Sequence, residues 1–168
     1  MKTLLLLMLL LAPAPADDDL TKKIESQYDR FKDETTVSVR LAPKITKGYL
    51  TRTYMTLFAK YKGQAVSGPP ETVVLAFFTE SKRLQFLNRS ARRWIFIADG
   101  KRAEMPDISY SNDVVYGGVI ETLAFGAGPE VLQTLTLPKL LEFQIGSVEG
   151  RFTDNDMKLM KAYADYLR

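Results

Sequence analysis

No cysteine and no histidine occur anywhere in the 168 residues. Without cysteine there can be no disulfide, no thiolate nucleophile and no thiolate metal site. Without histidine there is no Ser-His-acid triad, no imidazole base and no ordinary zinc or copper centre. Carboxylate, tyrosine or lysine chemistry stays open, as does a hard cation held by oxygens.

Complete ligand motifs are missing as well. Gly126-Ala127-Gly128 stands before a helix, but the dinucleotide pattern needs a glycine where the chain has Val131. Asp154-Asn155-Asp156 starts like a calcium loop, yet Leu159 and Asp165 occupy the positions of its glycine and glutamate. No pair of carboxylates is set by its spacing; Glu121 and Glu142 lie within strand-like segments, and Glu104 and Asp107 flank Pro106. The reading is a protein without cofactor or metal, more consistent with binding than with catalysis. The rival enzymatic reading is a carboxylate-based envelope hydrolase.

Charge of one sign is also scarce, since the formal net charge is +3. That falls well short of the dense cationic field of a dedicated nucleic-acid binder. Hydrophobic residues make up 46% of the chain, enough for a packed core.

Met1-Lys2-Thr3 is a short basic start, Leu4 to Leu11 is an unbroken apolar run, and Ala14-Pro15-Ala16 is a small-residue site followed by Asp17-Asp18-Asp19. This is the layout of a secretory signal in the compact bacterial style, with cleavage expected after Ala16. The apolar run is about half of the roughly 20 residues that a membrane-crossing helix needs. Residues 1–16 are therefore read as a signal peptide and 17–168 as one domain, exported to the periplasm or secreted, with no transmembrane segment in the mature chain.

Leu20, Ile24, Tyr28 and Phe31 recur at four, four and three residues, which predicts an N-terminal helix. Thr35 to Leu41 alternates as a strand with Val37, Val39 and Leu41 on one face. In Tyr49 to Tyr61, Met55, Leu57, Ala59 and Tyr61 share one side, opposite Arg52, Tyr54, Thr56, Phe58 and Lys60. Thr72 to Thr79 is apolar on both sides and reads as a central strand covered on both. Leu84 to Leu87 is a weaker strand candidate. Arg93 to Ala98, Asp99-Gly100 and Lys101 to Glu104 form a strong hairpin signal. Residues 107–113 read as a loop, and Val114 to Phe125 as one strand with a bulge at Gly117-Gly118.

A short helix is expected from Pro129 to Leu137, then a hairpin around Gly146-Ser147. A final helix is capped by Thr153 with Asp156 three residues on, and carries a stripe of Met157, Met160, Ala164 and Leu167. The fold class is α+β: a single domain of mostly antiparallel sheet, with an N-terminal helix, a short helix, a second hairpin and a C-terminal helix packed on it.

The densest local feature is the basic stretch holding Lys82, Arg83, Arg89, Arg92, Arg93, Lys101 and Arg102, with Phe86, Trp94 and Phe96 interleaved. Such a mixture can hold a polyanion (anionic lipid, glycan or nucleic acid), with the aromatics as stacking platforms. The plainer reading puts the cations on turns and strand edges and Trp94 and Phe96 in the core. Low net charge and the lack of a nucleic-acid motif favour the plainer one. Tyr110 and Tyr116, near Asn112 and Asp113, make a possible polar-aromatic rim for a small ligand. Asn88-Arg89-Ser90 matches a glycosylation sequon, which matters only in a host that glycosylates exported proteins. The functional expectation is an exported, non-enzymatic binding or accessory protein of the cell envelope, its partner an envelope protein, a glycan or an anionic surface.

Overall fold

The computed structural model describes residues 20–168 apart from Pro106 and Pro129. The expected signal segment lies outside the described residues. Two antiparallel sheets pack face to face around one core. The first has the order β1-β2-β4-β5-β9-β8, and the second β3-β11-β10-β6-β7. The first comprises β1 (Ile24–Asp29), β2 (Glu34–Leu41), β4 (Arg52–Lys62), β5 (Thr72–Ser81), β8 (Ser109–Val115) and β9 (Gly118–Ala127). The second comprises β3 (Lys44–Lys47), β6 (Trp94–Ala98), β7 (Lys101–Met105), β10 (Leu141–Ile145) and β11 (Val148–Arg151). Helices α1 (Glu130–Thr136) and α2 (Asp154–Tyr166) complete the described fold.

Strand alternation builds the core. Val37, Val39, Leu41, Met55, Leu57, Ala59, Val73, Leu75, Phe77, Leu123 and Phe125 line the inner face of the six-stranded sheet. They meet Trp94, Phe96, Phe143 and Ile145 from the other sheet, and Phe77 stands 6.2 Å from both Trp94 and Phe143, centroid to centroid. Both helices join this same core through Leu132, Leu135, Leu159, Met160 and Tyr163. The cap of α2 is the reciprocal one its sequence predicts. Thr153 accepts from the Asp156 amide, and the Asp156 carboxylate accepts from the Thr153 amide. The same carboxylate accepts from the Ala42 amide at 2.8 Å, tying the helix start to the end of β2.

The hairpin at Asp99-Gly100 forms as predicted, with φ of 47° and 82° at its two turn residues. The β10–β11 hairpin forms too, with Gly146 at φ 56°.

Four expectations are corrected. The N-terminal helix is absent. Leu20–Lys23 is a single 3₁₀ turn, after which β1 pairs with β2 from Ile24↔Val39 to Asp29↔Glu34. Local turn chemistry overrides the helical stripe there: Asp29 accepts from the amides of Phe31 and Lys32, and Asp33 takes φ 50°. Phe31 consequently sits exposed on a turn.

Residues 109–115 are strand, so what reads as one bulged strand from Val114 is a hairpin that reverses at Tyr116-Gly117. Leu84 to Leu87 is irregular; Phe86 is its buried anchor, packed edge-on to Phe77. Finally, β5 is central but not covered on both sides. Its inner residues are buried, whereas Val74 and Phe78 on the other face are only partly buried. The helices pack on the inner side of the sheet, and among the described residues nothing covers the outer face.

Candidate functional site

That outer face carries an ordered pattern of sizes. Antiparallel pairing places Arg40 opposite Thr56, Thr56 opposite Ala76, Ala76 opposite Ala124, and Ala124 opposite Ser109. Directly opposed residues share a face, so these form one row crossing the sheet at right angles to its strands. Two residues along the strands on one side, Tyr54 faces Phe78; two along on the other, Phe58 faces Val74. A row of small side chains thus runs between two rows of large ones. The result is a furrow with Thr56 and Ala76 on its floor, 7% and 3% exposed because the flanking rings overhang them.

Its dimensions follow from sheet geometry. The walls rise from residues four apart on one strand, about 13 Å at 3.3–3.4 Å per residue. The floor crosses four strands, about 14 Å at 4.7–4.9 Å per strand. The cavity at its β1–β2 end measures about 590 Å³ and is lined by Lys23, Glu25, Ser38, Arg40, Tyr54, Thr56, Phe58 and Phe78, with Ala42 at the edge.

One wall is stiffened. Tyr54 and Phe78 stack at 4.8 Å with 14° between their planes, and the Arg40 guanidinium lies 4.3 Å from the Tyr54 ring centre. Among the described residues the Arg40 guanidinium makes no hydrogen bond or ion pair, so its five donors are unspent. Lys23, on the turn leading into β1, lines the same end.

The ten residues singled out in the sequence fall elsewhere. Trp94 is 0% exposed, against Phe77, Phe96 and Phe125, so its ring is core and no stacking platform. Arg92 donates through Nε to the Phe86 carbonyl at 2.8 Å and through a terminal nitrogen to that of Leu87 at 2.6 Å. Its guanidinium also covers the Tyr110 ring at 3.9 Å.

Tyr110 in turn donates its hydroxyl to Glu121 at 2.9 Å; burial, then the Glu121 carboxylate, push this phenol up from its ordinary range. Glu121 is 0% exposed and also accepts from the amides of Gln85 and Phe86. The carboxylate and Arg92 together pin the irregular stretch between β5 and β6. Sequence reasoning leaves the orientation of Glu121 open, because Thr79↔Glu121 pairing on the inner face is a matter of register.

Arg93 makes a two-pronged ion pair with Glu104, both contacts 2.7 Å, and Arg102 joins it at 3.1 Å. The Arg93 guanidinium beside it holds the Glu104 carboxyl down at about 2. Glu104 and Asp107 share a cavity of about 480 Å³ with Arg89 and Arg92, but an acid of so low a pKa is a poor proton donor near neutrality. Lys82 and Arg83 border another cavity, about 580 Å³, with Tyr49, Leu50 and Gln85. Lys101 opens β7 on the surface, and Tyr116 is fully exposed at the tip of the β8–β9 hairpin. The structure therefore brings Arg92 and Tyr110 together, and Arg93 and Arg102 together, in each case for an internal contact.

In the sequence the furrow residues show as one side of the Arg52 to Lys60 alternation and one side of the doubly apolar run from Thr72 to Thr79. Nothing in the sequence sets the register that aligns Thr56 with Arg40, Ala76 and Ala124. Among the described residues no group of acids is placed to hold a metal, and no helix is long and apolar enough to cross a membrane. Fold and site together define a two-sheet antiparallel protein with an aromatic furrow that no other described element covers. No family model, curated protein or solved structure matches the chain.

Proposed function

We propose that this chain is an exported, non-enzymatic binding protein of the cell envelope, with the segment through Ala16 as its export signal, and that its ligand lies in the furrow across β2, β4, β5 and β9. One observation carries the reading: large, small and large rows of side chains face outward where, among the described residues, no other element covers them. A solvated sheet face ordinarily alternates to polar residues, so Phe58, Val74, Ala76 and Phe78 outward on adjacent central strands call for an occupant. The side chains of Tyr54, Phe78, Phe58 and Val74 take up part of the roughly 13 Å between the two wall rows, leaving less than the 10–12 Å or so that a helix with its side chains needs, so the furrow suits a single chain or a flat ring.

The test uses N-phenyl-1-naphthylamine, an uncharged dye that fluoresces in apolar surroundings. Mature protein is expected to bind it, and Ala76→Phe, which fills the floor without removing apolar surface, to weaken binding at least tenfold. Equal dye binding by both proteins, with unchanged circular dichroism, would refute the furrow as the site.

A second reading is supported by Lys82 and Arg83, whose cations border the cavity beside Tyr49 and are not tied to an acid among the described residues. On that reading the 82–102 region holds a polyanion. Retention on heparin that falls with salt and is lost in Lys82→Ala/Arg83→Ala would support it; retention indifferent to salt would dismiss it.

A further inference from the structure

The furrow is not symmetrical along its length, and the asymmetry selects a class of ligand. At the β9 side its row continues through Ala124 to Ser109 without a charge. At the β1 side it ends on Arg40 and Lys23. Both walls lie on β4 and β5: Tyr54 and Phe78 on one side, Phe58 and Val74 on the other. An occupant therefore meets apolar surface for most of the floor's length and two cations at one end.

From this we infer that the furrow takes a single-chain amphiphile with an anionic head, its hydrocarbon chain over Thr56, Ala76 and Ala124 and its carboxylate or phosphate on Arg40 and Lys23. The inference rests on the furrow being the ligand site. Three features support it beyond apolarity.

The Arg40 guanidinium lies over the Tyr54 ring, which is itself stacked on Phe78, so the cation is positioned before the ligand arrives. Its fork of donors matches the two oxygens of a carboxylate or phosphate. Among the described residues Glu25 is the only acid lining the cavity, and it sits opposite Ser38, one row away from Arg40. An anion is thus favoured over the small-residue row and disfavoured in the row that holds Phe58. Fatty acids and phosphate-headed lipids share this chemistry, and the head-group arms of the experiment separate them.

Binding is measured by calorimetry below the micellar range with four twelve-carbon probes: laurate, dodecyl phosphate, dodecyl maltoside and dodecyltrimethylammonium. Laurate or dodecyl phosphate is expected to bind about tenfold or more tighter than the maltoside, the scale of one charge-assisted contact. The tighter of the two identifies the head group. Arg40→Gln should abolish that preference and leave maltoside affinity unchanged, Arg40→Lys should restore part of it, and Glu25→Gln should strengthen anion binding a few-fold.

Equal affinity for all four probes, or a preference for the ammonium, would overturn the head-group assignment while leaving the furrow intact as an apolar site. Binding of none of them by a protein that still binds the neutral dye would overturn the amphiphile. Failure of both probes and dye would overturn the furrow itself.

Discussion

Two regions of this molecule hold the same ingredients, cations and aromatic rings, and use them in opposite ways. In the stretch from Lys82 to Arg102 they are neighbours in sequence. Because β6 alternates, Trp94 and Phe96 point into the core, while the arginines beside them are spent on Glu104 and on backbone carbonyls. In the furrow, Lys23, Arg40, Tyr54, Phe58 and Phe78 come from four separate segments, and pairing register gathers them on one face. Density along the chain is a poor guide to a site in a sheet protein, since adjacent residues of a strand face opposite ways.

That contrast can be broken by substitution. If the 82–102 aromatics and the acid behind them are structural, Trp94→Ala should cost about 4 kcal/mol of unfolding free energy, the range for emptying a large aromatic site. Denaturant unfolding reads this directly, and a loss under 1 kcal/mol would place Trp94 outside the working core. Glu121→Ala should follow at about 3 kcal/mol, because the amides of Gln85 and Phe86 and the Tyr110 hydroxyl lose their acceptor. Faster amide exchange confined to residues 82–93 is the accompanying signature. Arg40→Gln, on the exposed face, should move stability by no more than about 0.5 kcal/mol.

The smallest effect concerns the surface ion pair. The Glu104 carboxyl is held at about 2, below its ordinary 4.5, chiefly by the hydrogen bonds from Arg93. A depressed acid contributes stability that is complete above its unfolded value and lost as pH falls through the folded one. Any difference in unfolding midpoint between the wild type and Glu104→Gln should therefore be constant above pH 4.5 and disappear between there and about pH 2. Asp99, lowered by the amides of Leu140 and Lys139, should act in the same direction. A difference that grows on acidification would contradict the pairing. Both groups are exposed, so solvent screening keeps the effect small.

How much of this was legible in the sequence varies by element. The β4 alternation, the Asp99-Gly100 hairpin and the Thr153–Asp156 cap are written in residues within a few positions of each other, and each formed as read. The segment from Leu20 to Phe31 misled, because its helical spacing is as regular as a real helix face. The Asp29 turn and the open hydrogen-bonding edge of β2 offered the backbone a better partner. The hairpin through Gly117 was blurred for a similar reason: β8 is an exposed edge strand, so it carries almost no apolar alternation to announce it.

The candidate site divides along the same line. Composition alone determined that imidazole and thiol chemistry are closed to this chain, and local pattern determined which side of each strand is greasy. Tertiary structure decided that Arg40, Thr56, Ala76 and Ala124 stand in one row, and that the helices went to the inner face and left that row open. The reason is physical. Which side of a strand a residue takes depends on its immediate neighbours, whereas register between strands and the choice of a helix's docking face are settled by contacts between residues far apart in the chain.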